Sequence, residues 1–505
     1  MKAIVALVMG ALCAPLPVVA QSMRPWPPEL DAYIEKARAA WGVPGLAVSV
    51  VRDGKLLAAK GYGVRTLGRP ERVDEQTVFD IASVSKSFTA AAIATLVDEG
   101  SMSWDEPLRR HLPQAEFSDP YRTANVTIRD LLSHRVGVEA GNFVFRFTGY
   151  DTAEVLRRMR YLKEREAFRT TMLYSNIGYT AAGEAAAAAA GMPFAELIRT
   201  RLLGPLGMTG ATAGVPHTAS PNHASPHATI AGVQQPIAHT KMMSILPANA
   251  VNANALDVAK WMLFQLGDGS WNGKRIVSKE SMEEMHSPQI IIPTTPGMRA
   301  ARGVELFAAY GLGWNIMDYR GHKLLWHSGS ADGMPVYTAL LPADGIGVTV
   351  MVNTWDAPTL HGALASHIFD VLLGLPQTHD WSAEALAATK RGLARDAEER
   401  AAMERARNAN AKPSLPLAAY AGVYTDPLYG DMNVTLRDGA LSLQFARGEI
   451  ADLTPWQYDT FKVRWRDRAF EDFDTFLSFA LDPRGTPRRL DMRLNRDTVD
   501  AVRGR

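Results

Sequence analysis

Residues 45–64, GLAVSVVRDGKLLAAKGYGV, contain two apolar runs on either side of the dipeptide Asp53-Gly54. An Asp-Gly pair between two such runs is typical of a β-hairpin turn. Further along, Ser83–Gly100 carries apolar residues at near-helical spacing and ends at a glycine that favours a helix stop. The sequence therefore predicts a hairpin followed by a helix.

Strand patterns return only late in the chain. Lys323–Trp326, Val336–Leu341 and Gly347–Asn353 have strand composition, and a Pro-Ala-Asp-Gly turn separates the last two. Residues 128–203 are helix-rich, whereas residues 209–246 lack periodicity and are predicted to form a long loop. This order predicts an α+β fold, an α/β sandwich in which helices flank one antiparallel sheet assembled from both ends of the domain, together with an all-α region.

The C-terminal part of the chain has a different pattern. Residues 379–414 are alanine-rich and highly charged, which predicts an exposed helical linker. From residue 415 to residue 505 short alternating strands recur, one pair of which flanks Asp438-Gly439. We therefore predict a main domain over residues 23–378 and a small all-β barrel domain over residues 415–505.

Residues 1–20 have the features of a secretion signal. Lys2 provides the positive charge, residues 3–19 are almost wholly apolar, and small residues precede a cleavage point before Gln21. An N-terminal membrane anchor and a lipoprotein are the alternatives. The only cysteine, Cys13, lies in this segment, so thiol catalysis and disulfides are not expected in the mature chain. We expect an exported protein, periplasmic or secreted.

The charge of the whole chain is nearly balanced, with 54 basic and 53 acidic residues and a formal net charge of +1. This balance argues against nucleic acid or an anionic membrane surface as a partner. Beyond residue 21 no apolar run is long enough to cross a bilayer, so no stable membrane span is expected in the mature chain. We expect no cofactor and no metal, and a homo-oligomer remains open.

The first candidate catalytic motif is Ser83-Val84-Ser85-Lys86, which has the form S-x-x-K. On a helix, positions i and i+3 share one face, so the amine of Lys86 can reach the hydroxyl of Ser83. A free serine is a poor nucleophile, and a neighbouring amine that accepts its proton is one way to activate it. Alone the motif is weak, because a capping serine followed by a solvated lysine has the same form.

The second motif is Tyr174-Ser175-Asn176. A tyrosine has an ordinary pKa near 10, so Tyr174 could serve as a base at neutral pH only beside a cationic group such as Lys86. Asn176 offers an amide that could orient the lysine and a substrate carbonyl. A half-buried aromatic residue in a turn would give the same pattern.

The third motif, His327-Ser328-Gly329-Ser330, follows the strand predicted at Lys323–Trp326. A glycine at position 329 would let a substrate backbone lie against the strand edge. The backbone N–H of Ser330 could then pair with that of Ser83 as an oxyanion hole.

Together these motifs resemble the family of class C β-lactamases, penicillin-binding D,D-carboxypeptidases, D-aminopeptidases and related esterases. Four further segments are similar to the family: Leu131–His134, Tyr174–Gly183, Leu203–Met208 and Tyr310–Trp314. The resemblance covers roughly residues 25–375. The C-terminal segment resembles the lipocalin-like module that follows this domain in some relatives.

The resemblance implies that Ser83 accepts the acyl group, while Lys86 and Tyr174 share the general-base role and leave open which of them takes the proton. It also implies that Tyr174 passes a proton to the leaving group. Substrate binding is expected at Asn176, His327 and Gly329.

Two departures from the family pattern bear on the substrate. Class C β-lactamases usually have lysine where this chain has His327, and a histidine is mostly neutral at pH 7. Residues 247–253, PANAVNA, replace a stretch that is often glycine-rich in relatives. We therefore expect a serine hydrolase that cleaves amide bonds of short or unusual peptides. Hydrolysis of small acyl esters, β-lactamase activity and D,D-carboxypeptidase activity are the alternatives.

Three other hypotheses are less consistent with the sequence. His217, His223, His227 and His239 crowd the loop 209–246, and histidine clusters can bind zinc, but this loop has no carboxylate, which favours a polar loop bordering the site. A non-enzymatic peptide or cell-wall sensor would not need all three motifs. No G-x-S-x-G is present, which argues against an α/β-hydrolase nucleophile elbow.

Overall fold

The structure is a computed structural model that describes residues 26–239, 242–294, 306–467, 475–494 and 497–504. The predicted secretion signal and Cys13 lie outside the described residues. Among the described helices, none is both long enough and apolar enough to cross a membrane.

The main domain is built on an eight-stranded antiparallel sheet. The predicted hairpin forms as two strands, Gly45–Arg52 and Lys55–Gly63. Gly45–Arg52 also pairs with the last strand of the domain, Ile346–Val352, which confirms a sheet assembled from both ends. In spatial order the strands are Ile290–Ile291, Ala308–Tyr310, Asn315–Tyr319, His322–Ala331, Met334–Leu341, Ile346–Val352, Gly45–Arg52 and Lys55–Gly63.

Helices cover both faces of this sheet. Alternate side chains of the strand Gly45–Arg52 point to opposite layers, as strand geometry requires. One set packs under the helices Pro28–Ala40 and Leu360–Leu373. The other set packs under the helices Ser85–Asp98 and Ala255–Leu266. The helix Ser85–Asp98 is therefore enclosed on almost every side, which fixes its N-terminal end relative to the sheet.

Shorter helices and small strands complete the main domain. The other described α-helices of this domain are Pro120–Asn125, Ile128–Leu132, Asn142–Phe147, Thr152–Arg158, Asn176–Ala190, Phe194–Ile198, Leu246–Asn249 and Lys279–Met285. The small strands are Phe79–Asp80, Val251–Ala253 and Thr212–Ala213 in one sheet, His227–Ile230 with Val233–Pro236, and Ser270–Trp271 with Lys274–Arg275.

Two details differ from the sequence prediction. A 3₁₀ turn, Ala82–Val84, precedes the α-helix Ser85–Asp98, so Ser83 lies in this turn. The strand predicted at Lys323–Trp326 runs on as His322–Ala331, because its pairing with Met334–Leu341 continues to its last residue. The third motif therefore lies inside a strand rather than after it.

The C-terminal part forms a closed eight-stranded barrel, which confirms the predicted all-β fold. In the strand Ala440–Phe445 alternate side chains point inward, and Leu441, Leu443 and Phe445 are buried there. The barrel strands are Gly422–Asp426, Gly430–Arg437, Ala440–Phe445, Ile450–Gln457, Thr460–Trp465, Thr475–Leu481, Pro487–Leu494 and Asp497–Arg503.

The barrel docks beside the short helix Asn142–Phe147 of the main domain. The rings of Phe147 and Trp465 stack with their centroids 4.3 Å apart. The backbone N–H of Glu449 donates to the carbonyl of Phe147 at 2.8 Å. Between the two domains runs the helix Trp381–Ala406, which is exposed along nearly its whole length, as the charged linker sequence predicts.

Candidate active site

A strained turn presents Ser83 at the start of the central helix. A carboxylate oxygen of Asp80 accepts from the backbone N–H of Ala82 at 2.7 Å. Ala82 has a φ of 44°, in the left-handed region that residues other than glycine seldom adopt. The turn continues without a break into the helix Ser85–Asp98, so Ser83 and Lys86 lie one turn apart on the same face.

Lys86 is fully buried, and its amine lies among neutral oxygens. The Nζ atom donates to Asn176 Oδ1 at 2.7 Å and to the carbonyl of Ala248 at 3.1 Å, and it lies within hydrogen-bond distance of Ser83 Oγ, at 3.0 Å. Burial lowers the pKa of Lys86 well below its ordinary value, because the charged form loses its hydration. The lowered pKa favours the neutral form of the amine, the form that can accept a proton from Ser83.

Tyr174 completes this group on the other side of the hydroxyl. Its ring centroid lies 4.8 Å from Lys86 Nζ. Burial raises the pKa of Tyr174 above its ordinary value, although a hydrogen bond with Ser83 acts in the opposite direction. The phenol therefore keeps its proton at neutral pH, whereas the lysine amine beside it readily loses one.

His327 lies behind Tyr174, with the two ring centroids 6.3 Å apart, and is only 2% exposed. Its Nδ1 donates to the carbonyl of Ser328 at 2.7 Å, so its Nε2 accepts from the Tyr310 hydroxyl at 3.0 Å. Burial and the nearby Lys86 lower the pKa of His327 to about 3. The imidazole is therefore neutral, and both of its nitrogens are engaged within the protein.

Gly329 allows the strand His322–Ala331 to approach the turn that carries Ser83. A Cβ atom at position 329 would lie 2.3 Å from the carbonyl oxygen of Ile81 and 3.1 Å from the backbone nitrogen of Ser83. Such distances are too short for a side chain, so only glycine fits at this position.

The backbone N–H of Ser330 lies at the edge of the strand His322–Ala331. A two-residue turn joins Tyr319 to His322, and these two residues form a hydrogen-bonded pair. The backbone N–H groups of His322 and of every second residue after it therefore point toward the neighbouring strand Asn315–Tyr319. That strand ends opposite Trp326, so the N–H of Ser330 points to a free edge. Gly329 lies beside the turn with Ser83, so the two predicted oxyanion donors belong to adjoining segments.

Sequence reasoning missed the groups that hold these residues in place. Asn142 Oδ1 accepts from Asn176 Nδ2 at 3.0 Å, which leaves Asn176 Oδ1 free to face Lys86. The carbonyl of Ala248 lies in the segment 247–253, whose departure from the family pattern was noted, but its contact with Lys86 could not be predicted because a backbone oxygen is present at every residue. Asn142 lies in a short helix with no recognisable motif, so its role becomes visible only in three dimensions.

Of the four histidines in the loop 209–246, His227 lies apart, whereas the rings of His217, His223 and His239 pack together. His227 accepts from the N–H of Leu67 at 2.9 Å and donates to the carbonyl of Asn353 at 2.8 Å. The rings of His217 and His239 pack edge to face, with centroids 4.6 Å apart. Within the part of the chain that the structure describes, no three histidine, cysteine or carboxylate side chains are arranged to hold a metal ion.

The fold agrees with the comparisons to known proteins. Residues 30–373 match the Beta-lactamase family model, and residues 406–502 match a domain of unknown function (DUF3471). The chain therefore belongs to the beta-lactamase family, whose members are serine hydrolases.

Relatives extend this assignment over most of the chain. "Unguisins hydrolase ungD" from Aspergillus violaceofuscus is 28% identical over 522 residues, which cover 92% of this chain and 87% of that protein. "Protein flp" from Staphylococcus aureus is 24% identical over 344 residues, or 64% of this chain and 62% of that protein. A solved structure, the octameric penicillin-binding protein homologue from Pyrococcus abyssi, has a TM-score of 0.59 at 22% identity and covers 94% of this chain and 99% of its own; this similarity concerns the fold.

Proposed function

We propose that this chain hydrolyses amide bonds of short or unusual peptides through an acyl-enzyme on Ser83. The observation that carries the proposal is the contact between Ser83 Oγ and a buried lysine amine whose pKa burial lowers, at 3.0 Å. A neutral amine at this distance can remove the hydroxyl proton as the oxygen attacks.

The proposed reaction has two halves. In the first, the Ser83 proton passes to Lys86 Nζ while Oγ bonds to the substrate carbonyl carbon, and the N–H groups of Ser83 and Ser330 hold the oxyanion. Tyr174 gives its proton to the departing nitrogen as the C–N bond breaks, and Lys86 restores that proton to Tyr174. In the second half, water loses a proton to the same groups, bonds to the acyl carbon and releases Ser83.

The environment supports this division of roles. Burial lowers the pKa of Lys86 and raises that of Tyr174, which favours the lysine as proton acceptor and the phenol as proton donor. Lys86, Tyr174 and Ser83 exchange protons with one another, so they titrate together as one coupled set.

The peptide substrate is favoured by the third motif and by one relative. His327 is neutral and engaged with Tyr310, so it does not offer the permanent positive charge that a lysine would offer to a β-lactam carboxylate. The relative named "Unguisins hydrolase" matches this chain over most of its length. We further propose that the chain is exported, after cleavage before Gln21, and acts in the periplasm or outside the cell.

A substrate panel tests the proposal. Purified protein is assayed on D- and L-aminoacyl amides, linear peptides, p-nitrophenyl esters and nitrocefin, alongside Ser83→Ala. Ser87→Ala is the matched control, because its hydroxyl bonds back to the Val84 carbonyl in the same helix. We expect the amides or peptides to give the highest kcat/KM, and Ser83→Ala but not Ser87→Ala to lose activity. Full activity in Ser83→Ala would contradict the proposal.

A further inference from the structure

Two buried carboxylates stand at the ends of the segments that carry the oxyanion donors. Asp80 precedes Ser83 by three residues, and Asp332 follows Ser330 by two. Both side chains are almost wholly buried, at 0% and 3% exposed. Two negative charges in such surroundings repel each other and require a positive partner.

One oxygen of each carboxylate has a partner of its own. Asp80 Oδ1 accepts from the N–H of Ala82 and so supports the left-handed conformation of that residue. Asp332 Oδ1 pairs with the guanidinium of Arg146, which belongs to the helix Asn142–Phe147 beside the barrel. The second oxygen of each carboxylate faces His239.

His239 is the partner that these two oxygens share. Its Nε2 lies 3.0 Å from Asp80 Oδ2, and its Nδ1 forms an ion pair with Asp332 Oδ2 at 3.3 Å. The imidazole ring is 1% exposed. The contact at Nδ1 is an ion pair outside hydrogen-bond geometry, whereas Nε2 is hydrogen-bonded to Asp80. The two carboxylates favour the imidazolium form of His239, whose charge balances them.

We infer that His239 is a positioning residue that ties the turn bearing Ser83 to the strand end bearing Ser330 and so sets the separation of the two oxyanion donors. The inference rests on the proposed acyl-enzyme function. His239 belongs to the histidine cluster of the loop 209–246, and among the described residues it forms its polar contacts with Asp80 and Asp332 and its ring contact with His217. It acts through Asp80 and Asp332.

The group formed by Asp80, His239 and Asp332, called the clip from here on, predicts a particular pH dependence. Burial by itself lowers the pKa of His239, but the ion pairs with Asp332 and Asp80 outweigh burial and raise it to about 9. A raised pKa means that the clip is complete at neutral pH and is lost as pH rises through about 9. We therefore expect kcat to fall in that range.

Other titrating groups around the clip behave differently. Burial and the positive charge of His239 lower the pKa of His217, whose ring packs on His239, to about 4. His223 packs on the far side of His217. Arg146 pairs with Asp332, and Glu449 of the barrel lies close enough to both for their charges to act on it. Burial raises the pKa of Glu449, as does the charge of Asp467.

The test is the pH profile of three proteins on the best p-nitrophenyl ester, between pH 6.5 and 10. For the wild type we expect a fall of kcat with a midpoint near 9. His239→Gln should lower kcat at pH 7.5 by about ten- to a hundredfold, less than the ~10²–10³-fold loss of a whole oxyanion donor, with KM within about threefold, and should remove the alkaline fall. His239→Lys, which keeps a positive charge, should recover most of kcat and move the fall to higher pH.

His223→Gln, in the same loop, is the matched control and should leave both kcat and the alkaline fall unchanged. A wild-type kcat that stays constant to pH 10, or an alkaline fall that persists in His239→Gln, would overturn the inference. If His239→Gln does not fold, the wild-type and His239→Lys profiles decide alone. If Ser83→Ala is inactive while His239→Gln has the activity of the wild type, the inference about His239 is refuted and the proposed function is not. If Ser83→Ala is active, the proposed function itself is refuted.

Discussion

Replacing Gly329 by alanine tests the close approach on which the oxyanion hole depends. The added methyl carbon would lie 2.3 Å from the Ile81 carbonyl oxygen, about 1 Å closer than an ordinary carbon–oxygen contact of about 3.3 Å. That carbonyl accepts from the N–H of Val84 and is backbone in the turn with Ser83, so it cannot move as a flexible side chain could. The strand and the turn must therefore separate by about 1 Å.

A displacement of this size next to the reacting atoms is expected to lower kcat by about a hundredfold or more. The forced contact should also cost about 1–3 kcal/mol of unfolding free energy. The assay is kcat on the best ester substrate, combined with the rate at which a fluorophosphonate labels Ser83 and with a urea unfolding curve. Gly362→Ala is the matched control, because a methyl group there meets nothing within 4 Å.

We expect Gly362→Ala to match the wild type in kcat and labelling rate, and to be up to about 1 kcal/mol more stable in urea, because alanine is a better helix former than glycine. If Gly329→Ala keeps kcat and the labelling rate within about threefold of the wild type, the separation of strand and turn does not govern the oxyanion hole, and the reasoning is wrong.

Three further changes have defined outcomes. Tyr174→Phe should lower kcat for amides at least about tenfold more than for p-nitrophenyl esters, because an amine must gain a proton to leave whereas p-nitrophenolate leaves as an anion; equal losses would remove Tyr174 as the proton donor. Asn142→Ala removes the acceptor for Asn176 Nδ2 and should cost about 1–3 kcal/mol of activation free energy, measured as kcat with Asn142→Asp as the variant that retains an acceptor. Trp465→Ala removes the ring stacked on Phe147 and should lower the unfolding free energy by about 3–5 kcal/mol, whereas Leu393→Ala on the exposed linker helix should change it little.

The parts of the site that could be predicted from sequence are those set by local spacing. Ser83 and Lys86 meet because positions i and i+3 share a helix face, and the structure places their polar atoms 3.0 Å apart. The hairpin at residues 45–64 follows from its Asp-Gly turn in the same way. Both patterns are complete within a few residues, so no knowledge of the fold is needed to recognise them.

The parts that escaped prediction depend on segments far apart in the chain. His239 meets Asp80 across 159 residues, and Asn142 meets Asn176 across 34. Such contacts depend on how helices and strands pack. The spacing of residues along the chain does not reveal that packing. The end of the third motif's strand was misjudged for a similar reason, since pairing with Met334–Leu341 extends it to Ala331.

The central claim is that Ser83 forms the covalent intermediate, and peptide mass spectrometry after fluorophosphonate labelling tests it most directly. We predict a single phosphonylated peptide that contains Ser83, with labelling abolished in Ser83→Ala and retained in Ser87→Ala. An unmodified Ser83 peptide accompanied by loss of activity, or equal labelling of Ser83→Ala, would contradict the account.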